Sequence, residues 1–324
     1  MNKESSTQVE SRGSSTGSTP NLLVIGSVAF DDIETPFGKS KKTLGGSATY
    51  ISLAASFFTK AGLVAVVGED FKSGHCGVLQ KRKVDLAGLE MKKGKTFAWG
   101  GKYHFDLNTR ETLFTHLNVF ETFSPVLSPA HRNSQYVFLG NTHPALQAKI
   151  INQLRKPKFV GLDTMNYWIE KTPKELGQVL KLVDALVIND SEARELSKER
   201  NLLKAARKIA GLMHKNKKRL LIIKRGEYGL LLFQHGKIFH LPGFPLEDVV
   251  DPTGAGDTFA GGFMGSLAKA DNLSWNNVQK AAVSGSVMAS FCVEKFGTKR
   301  LQEVSPKEIS ARHKDFKTLT HFDL

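Results

Sequence analysis

Residues 249–265 read VVDPTGAGDTFAGGFMG. One carboxylate, Asp257, follows Gly254, Ala255 and Gly256 and precedes Ala260, Gly261, Gly262 and Gly265. Each glycine costs a helix interior about 0.8–1 kcal/mol relative to alanine, so a run this bare must serve a close approach. Where a loop enters a helix, the N–H groups of residues 254–256 can converge on an anion. The helix itself adds about half a positive charge at its N-terminus. The result is a cradle for charge that develops during a reaction. A carboxylate one residue inside that cradle should be held ionised, ready to accept a proton at neutral pH. A proton acceptor beside an anion hole suits phosphoryl transfer: an alcohol gives its proton to Asp257 while the amides neutralise the γ-phosphoryl oxygens. Gly261, Gly262 and Gly265 read as packing positions that let the helix press on its neighbours.

Three further clusters accompany this one. GGSATY (45–50) opens a helix on two glycines, NDSE (189–192) places Asn189 and Glu192 at the end of an apolar run, and KRGEYG (224–229) supplies Gly226 and Gly229 after another. All four clusters are expected at strand ends. Taken alone, GAGD could be a turn with an N-terminal helix aspartate; four such clusters make coincidence a poor account.

The elements that must position these residues alternate. Branched apolar runs at 21–30, 61–70, 135–140, 159–163, 185–190 and 219–226 read as strands. Helical patterns fall at 45–58, 73–83, 144–155, 174–183, 202–215 and 278–296, the last of them taken as the final long helix, with Phe291 to Phe296 packing it and Gly297 ending it. That rhythm predicts a three-layer α/β/α fold with a mostly parallel sheet, and ligands beyond the carboxyl ends of its strands. Segment 230–241 reads as a hairpin turning at His235-Gly236. Segment 95–122 alternates apolar and polar residues and carries Trp99, Tyr103 and Phe105 on one face, so it predicts a small antiparallel lid sheet joined by 31–43. Those three rings are either a platform over a sugar or base, or lid packing. Arg110 either pairs a substrate phosphate or stays on the surface. His104, His116 and His143 lack metal-ligand spacing and read as structural. Residues 1–20 are polar, without an apolar core of a secretory signal, and predict a disordered tail; 21–324 form the remaining domain.

The chain has 324 residues, 40 % hydrophobic and 23 % charged, with a formal net charge of +14. Its lysines are scattered without aromatic interleaving, which excludes a nucleic-acid partner as the leading reading. No apolar stretch reaches the length of a membrane span. Cys76 and Cys292 stand apart from any metal or disulfide pattern and predict reduced thiols in a cytoplasmic protein. A dinucleotide oxidoreductase would need G-x-G-x-x-G after the first strand, where the chain has GSVAFD, and no P-loop motif occurs. A non-catalytic ligand-binding kinase homologue is the alternative from another class; retention of Asp257, Asn189 and Glu192 argues against it.

Taken together, DPTGAGDTFAGGF (251–263), GGSATYISLAA (45–55), NDSE and VGEDFKSG (67–74) resemble, in this order, the motifs of the ribokinase-like (PfkB) family of carbohydrate and nucleoside kinases. The resemblance implies an ATP-dependent kinase acting on a hydroxyl of a small sugar, with a nucleoside as the alternative. It implies Asp257 as catalytic base, with Gly254, Ala255 and Gly256 as the anion hole. Asp31 would hold substrate hydroxyls, and Gly45 and Gly46 would let the substrate approach the backbone. Asn189 and Glu192 would organise Mg²⁺ through water, and Gly226 and Gly229 would line the ATP side. Asp251 and Thr253 fall where many members bind a monovalent cation such as K⁺. Family sugar kinases usually carry Asn at the position of Tyr50, where it contacts a substrate hydroxyl; a tyrosine counts against simple ribokinase activity. Lys224 stands where Thr or Ser is usual, and can reach a phosphate or remain on the surface. DTMNYW (163–168) partly matches a pattern of fructokinase-like members and adds Asp163 and Asn166 as candidates. A homodimer through the lid is expected.

Overall fold

The computed structural model describes residues 19–213 and 219–321. Most of the expected tail (1–18) and the end of the expected helix 202–215 lie outside the described residues. The strands are β1 (Leu22–Ile25), β2 (Ala29–Thr35), β3 (Gly38–Gly45), β4 (Ala61–Gly68), β5 (Asp85–Lys92), β6 (Phe97–Tyr103), β7 (Arg110–His116), β8 (Tyr136–Leu139), β9 (Phe159–Asp163), β10 (Ala185–Asn189), β11 (Leu220–Lys224), β12 (Leu230–Gln234) and β13 (Lys237–Leu241).

Nine of them form one sheet in the order β13-β12-β11-β10-β9-β8-β1-β4-β5. Every pair from β11 to β5 is parallel; β12 and β13 add an antiparallel hairpin at one edge. The central strands are apolar on both faces because helices cover both. One face packs against helices Ser47–Ala55, Ala255–Ala270 and Trp275–Cys292, the other against Pro144–Ile151, Pro173–Leu180, Asp190–Ser197 and Leu202–Leu212. The strand order reverses beside β1, between β8 and β4. That is where a crevice opens at the carboxyl ends of an open α/β sheet. Among the described residues no helix is long and apolar enough to cross a membrane.

A second sheet runs β3-β2-β6-β7. It is mixed rather than antiparallel: β2 and β6 pair in parallel because the chain leaves β3, crosses the main sheet and returns. Phe105 does not join Trp99 and Tyr103 on a face. It lies beyond the end of β6 and is 89 % exposed. Helix Trp275–Cys292 is not the last; short helix Lys299–Glu303 and Pro306–Thr320 follow, the latter started by a Ser305–Glu308 capping box. Phe291 packs under Arg312, whereas Phe296 faces Gly38.

Two of the four clusters close parallel strands of the main sheet: NDSE ends β10 and KRGEYG ends β11. GGSATY instead leaves β3 of the second sheet. GAGD follows an irregular segment, 242–253, tied down by the Val250 and Asp251 amides donating to the Val293 carbonyl. It opens its helix at Gly254, whose φ of 77° is in the left-handed region that favours glycine.

Candidate active site

The turn 254–256 is pressed from two sides. A Cβ on Gly254 would lie 2.4 Å from the Tyr50 ring, and one on Gly256 would lie 2.6 Å from Lys224 Nζ. Lys224 is therefore not a surface lysine. Its ammonium rests on the cradle, and it pulls on three carboxyl groups: Asp163, Glu192 and Asp257. Burial pushes the Asp257 carboxyl up to about 6, with Lys224 holding it down and Glu192 pushing it further up. The carboxyl is thus raised rather than lowered: loss of water dominates, Lys224 supplies the opposing charge, and the group is still mostly ionised at neutral pH. Burial also drives Asp163 well above the usual carboxylate range and raises Glu192, Lys224 opposing both.

Asn189 and Glu192 owe their spacing to a capping box. Asn189 N–H donates to Glu192 Oε2 and Glu192 N–H donates to Asn189 Oδ1, both at 2.8 Å. The motif thus fixes the start of helix Asp190–Ser197 and aims the glutamate toward Lys224 and Asp257. Asn166 begins a short helix, Asn166–Lys171, while Asp163 ends β9. Asp163 belongs to the charged cluster, and its place at the carboxyl end of a central strand was the signal for it.

On the other side of the crevice, a Cβ on Gly45 would fall 1.9 Å from Asp31 Oδ2, and one on Gly46 (φ 89°) would strike the Ser27 carbonyl at 2.5 Å. These two glycines let the Asp31 carboxyl lie flat on the chain at the entry of helix Ser47–Ala55. Burial, then the charges of Asp251 and Asp257, push Asp31 up to about 8, while the Gly46 amide pulls the other way. The unfolded chain ionises this group near 4. Native stability therefore falls as pH rises from about 4 to about 8, because the unfolded state loses its proton first. Asp31→Asn removes that slope. It is expected to stabilise the protein by on the order of 2 kcal/mol at pH 8 and to gain much less at pH 4.5. Thermal melts across this range check it, and an equal gain at both pH values would contradict it.

Asp251 is fully buried, and its two oxygens accept the amides of Thr253 and Gly297, both at 2.8 Å. It ties the approach to the Gly254 turn to the segment that follows helix Trp275–Cys292. Thr253 Oγ1 donates to the Tyr103 hydroxyl at 3.2 Å, and the Cys292 thiol points at the Thr253 carbonyl. Tyr50 lies beneath the turn, 1 % exposed, with its hydroxyl sealed from solvent and lacking a protein partner. Gly226 (φ 57°) lies against the Asn108 side chain, 2.8 Å from the position of a Cβ. Gly229 (φ 79°) turns the chain into β12, where the Leu241 carbonyl approaches too closely for any side chain.

The second sheet reaches this ground at three places: Tyr103 at Thr253, Asn108 at Gly226, and Arg110, which acts electrostatically on Glu192 while lying 5.2 Å from the Trp99 ring centre. Asn108 carries no motif, and no sequence signal points to it. Asp70 of VGEDFKSG serves the frame, accepting the Thr96 amide and hydroxyl at 2.8 and 2.6 Å and so joining β4 to the start of β6.

A doubly covered parallel sheet, with an acid and a glycine turn gathered at the carboxyl ends of its strands and a second small sheet beside them, is the architecture of an α/β kinase of the ribokinase fold. A giardial ribokinase structure from Giardia lamblia superposes with a TM-score of 0.77 at 16 % identity, covering 92 % of this chain and all of that one. A nucleoside kinase structure from Methanocaldococcus jannaschii gives 0.72 at 20 %, covering 92 % and 100 %. The family model for pfkB carbohydrate kinases matches residues 19–304, and the chain belongs to that family. Among curated relatives, a cytidine kinase of Thermococcus kodakarensis is 29 % identical over 77 % of this chain and 89 % of its own. A nucleoside kinase of M. jannaschii is 23 % identical over 80 % and 82 %.

Proposed function

We propose that the protein transfers the γ-phosphoryl group of ATP to a hydroxyl of a ribose-like substrate, a small sugar or a nucleoside, with Asp257 as general base. The observation that carries this reading is the meeting of Asp257, the bare 254–256 turn and the Lys224 ammonium at one point. Asp31, with Gly45 and Gly46, holds substrate hydroxyls and sets one of them toward Asp257. That oxygen loses its proton to Asp257 and bonds to the γ-phosphorus as the bond to the leaving ADP oxygen breaks. The 254–256 amides and Lys224 receive the charge on the equatorial oxygens.

The acid cluster fits a hard cation. Glu192, oriented by Asn189, would hold Mg²⁺ through water, because Mg²⁺ gives up its hydration shell reluctantly. Bound there, the ion would neutralise phosphate charge. Behind the turn, buried Asp251 and Thr253 beside the unpartnered Tyr50 hydroxyl fit a monovalent cation such as K⁺. Gly226, Gly229 and the segment after them would line the ATP side, and the second sheet would act as a lid that excludes water. Its outer face is the ground for a homodimer.

The curated relatives cited above are kinases of cytidine and of nucleosides, which supports a ribosyl acceptor. Incubation with Mg-ATP and a panel of free sugars and nucleosides should yield ADP with at least one acceptor and little without any. Absence of ADP throughout, or rapid ATP hydrolysis without acceptor, would end this reading.

A further inference from the structure

Which acceptor the crevice takes can be read from the face of the second sheet that looks into it. Asp31 and Trp99 are register partners on β2 and β6, so their side chains leave the sheet on the same side. That side is the inner one: Asp31 feels the charges of Asp251 and Asp257, and Tyr103, four residues along β6 from Trp99, reaches Thr253. The bulge in this strand pair lies on β7, leaving the alternation of 99, 101 and 103 intact. Next to Asp31 the inner face is apolar. Ile33 is 2 % exposed, and Gly101 is bare because the indole of Trp99 lies across it; a Cβ there would be 2.0 Å from the ring. Trp99 thus lies down along its strand beside the hydroxyl-binding acid, half-buried rather than sunk in a core. The guanidinium of Arg110 lies over the ring, 5.2 Å from its centre, so a planar group stacking on that face would take the place that the guanidinium now holds.

A free sugar would set hydroxyls against this patch and leave them without partners, which is costly. Nor does Tyr50 offer them an open group, since its hydroxyl is sealed beneath the Gly254 turn. We propose that the acceptor is a nucleoside, its ribose held by Asp31 and its base stacked on the Trp99 indole. Aromatic stacking tolerates any base, because each has a π-face. The ring therefore selects nucleosides over sugars, and the edge groups of the base are left to select among nucleosides. This inference rests on the kinase reading above.

The test uses the full chain with Mg-ATP, comparing cytidine, uridine, adenosine and inosine with D-ribose and D-fructose. At least one nucleoside is expected to exceed both sugars in kcat/KM by ~100-fold or more. Trp99→Ala should raise KM for that nucleoside by ~10–100-fold with a smaller change in kcat, and Trp99→Phe should restore most of the loss. Nucleotide affinity, followed by titration with ADP, should stay within a few-fold in both variants. If Trp99→Ala does not fold, Trp99→Leu keeps the bulk without the π-face and is expected to show the same rise. A sugar turned over in preference to every nucleoside would overturn the inference and leave the kinase reading standing. A nucleoside turned over with unchanged KM in the alanine or leucine variant would overturn the role of Trp99. No ADP with any acceptor would overturn both readings.

Discussion

Asp257→Asn is expected to lower kcat by about 10²–10⁴-fold, the range of a lost general base, while ADP and ATP bind within a few-fold of the native protein. Asparagine keeps the shape and the place in the first helical turn but cannot take a proton. The native enzyme should show an acid limb in kcat near pH 6, because the carboxyl must be ionised to act and burial has brought it to about 6. The residual activity of Asp257→Asn should lose that limb. Stopped ADP-release assays from pH 5 to 9 measure both, and turnover near native in the variant would remove Asp257 from the chemistry.

Lys224→Met is the second large effect, with kcat expected to fall by about 10²-fold. Methionine keeps the apolar stem and the packing on Gly256 but not the ammonium. Asp163, Glu192 and Asp257 then face one another without the cation that now opposes their burial. The sign of the pH effect follows. Lys224 favours the ionised form of Asp257, so its removal shifts the acid limb above pH 6. The loss should be larger at pH 6.5 than at pH 8.5. An unshifted limb would show that the ammonium acts on the phosphate alone, and an unchanged kcat would show that it acts on neither.

The main sheet was readable in the sequence because its central strands are short runs of branched apolar residues, bounded by loops with glycine, aspartate or asparagine, and helices of ordinary length separate them. Asp257, Asn189 and Glu192 could be read for a similar reason: each is held by local geometry, a bare turn in one case and a capping box in the other. What escaped depends on distant parts of the chain. Whether Lys224 reached the cradle or solvent turned on the absent side chain of Gly256, 32 positions away by number. Asn108 meets Gly226 only because the turn between β6 and β7 comes to lie beside the end of β11. The parallel pairing of β2 with β6 escaped because alternation marks a strand with one wet face and says nothing of its neighbour's direction. Phe105 was misplaced since a period of two cannot tell where the strand stops. The raised Asp257 carboxyl was missed because a motif displays the amides but not the water that folding removes.

The seam of glycines along helix Ala255–Ala270 bears on how such a protein tolerates change. Gly261 meets the Ile51 carbonyl, Gly265 the backbone of Ala55, and Gly262 the Ser284 carbonyl, each at a separation that admits only hydrogen. Main chain here rests on main chain, so the reacting end of the helix is located by atoms that every residue shares. The same economy makes those few positions unforgiving: a single methyl group would have to move two helices apart.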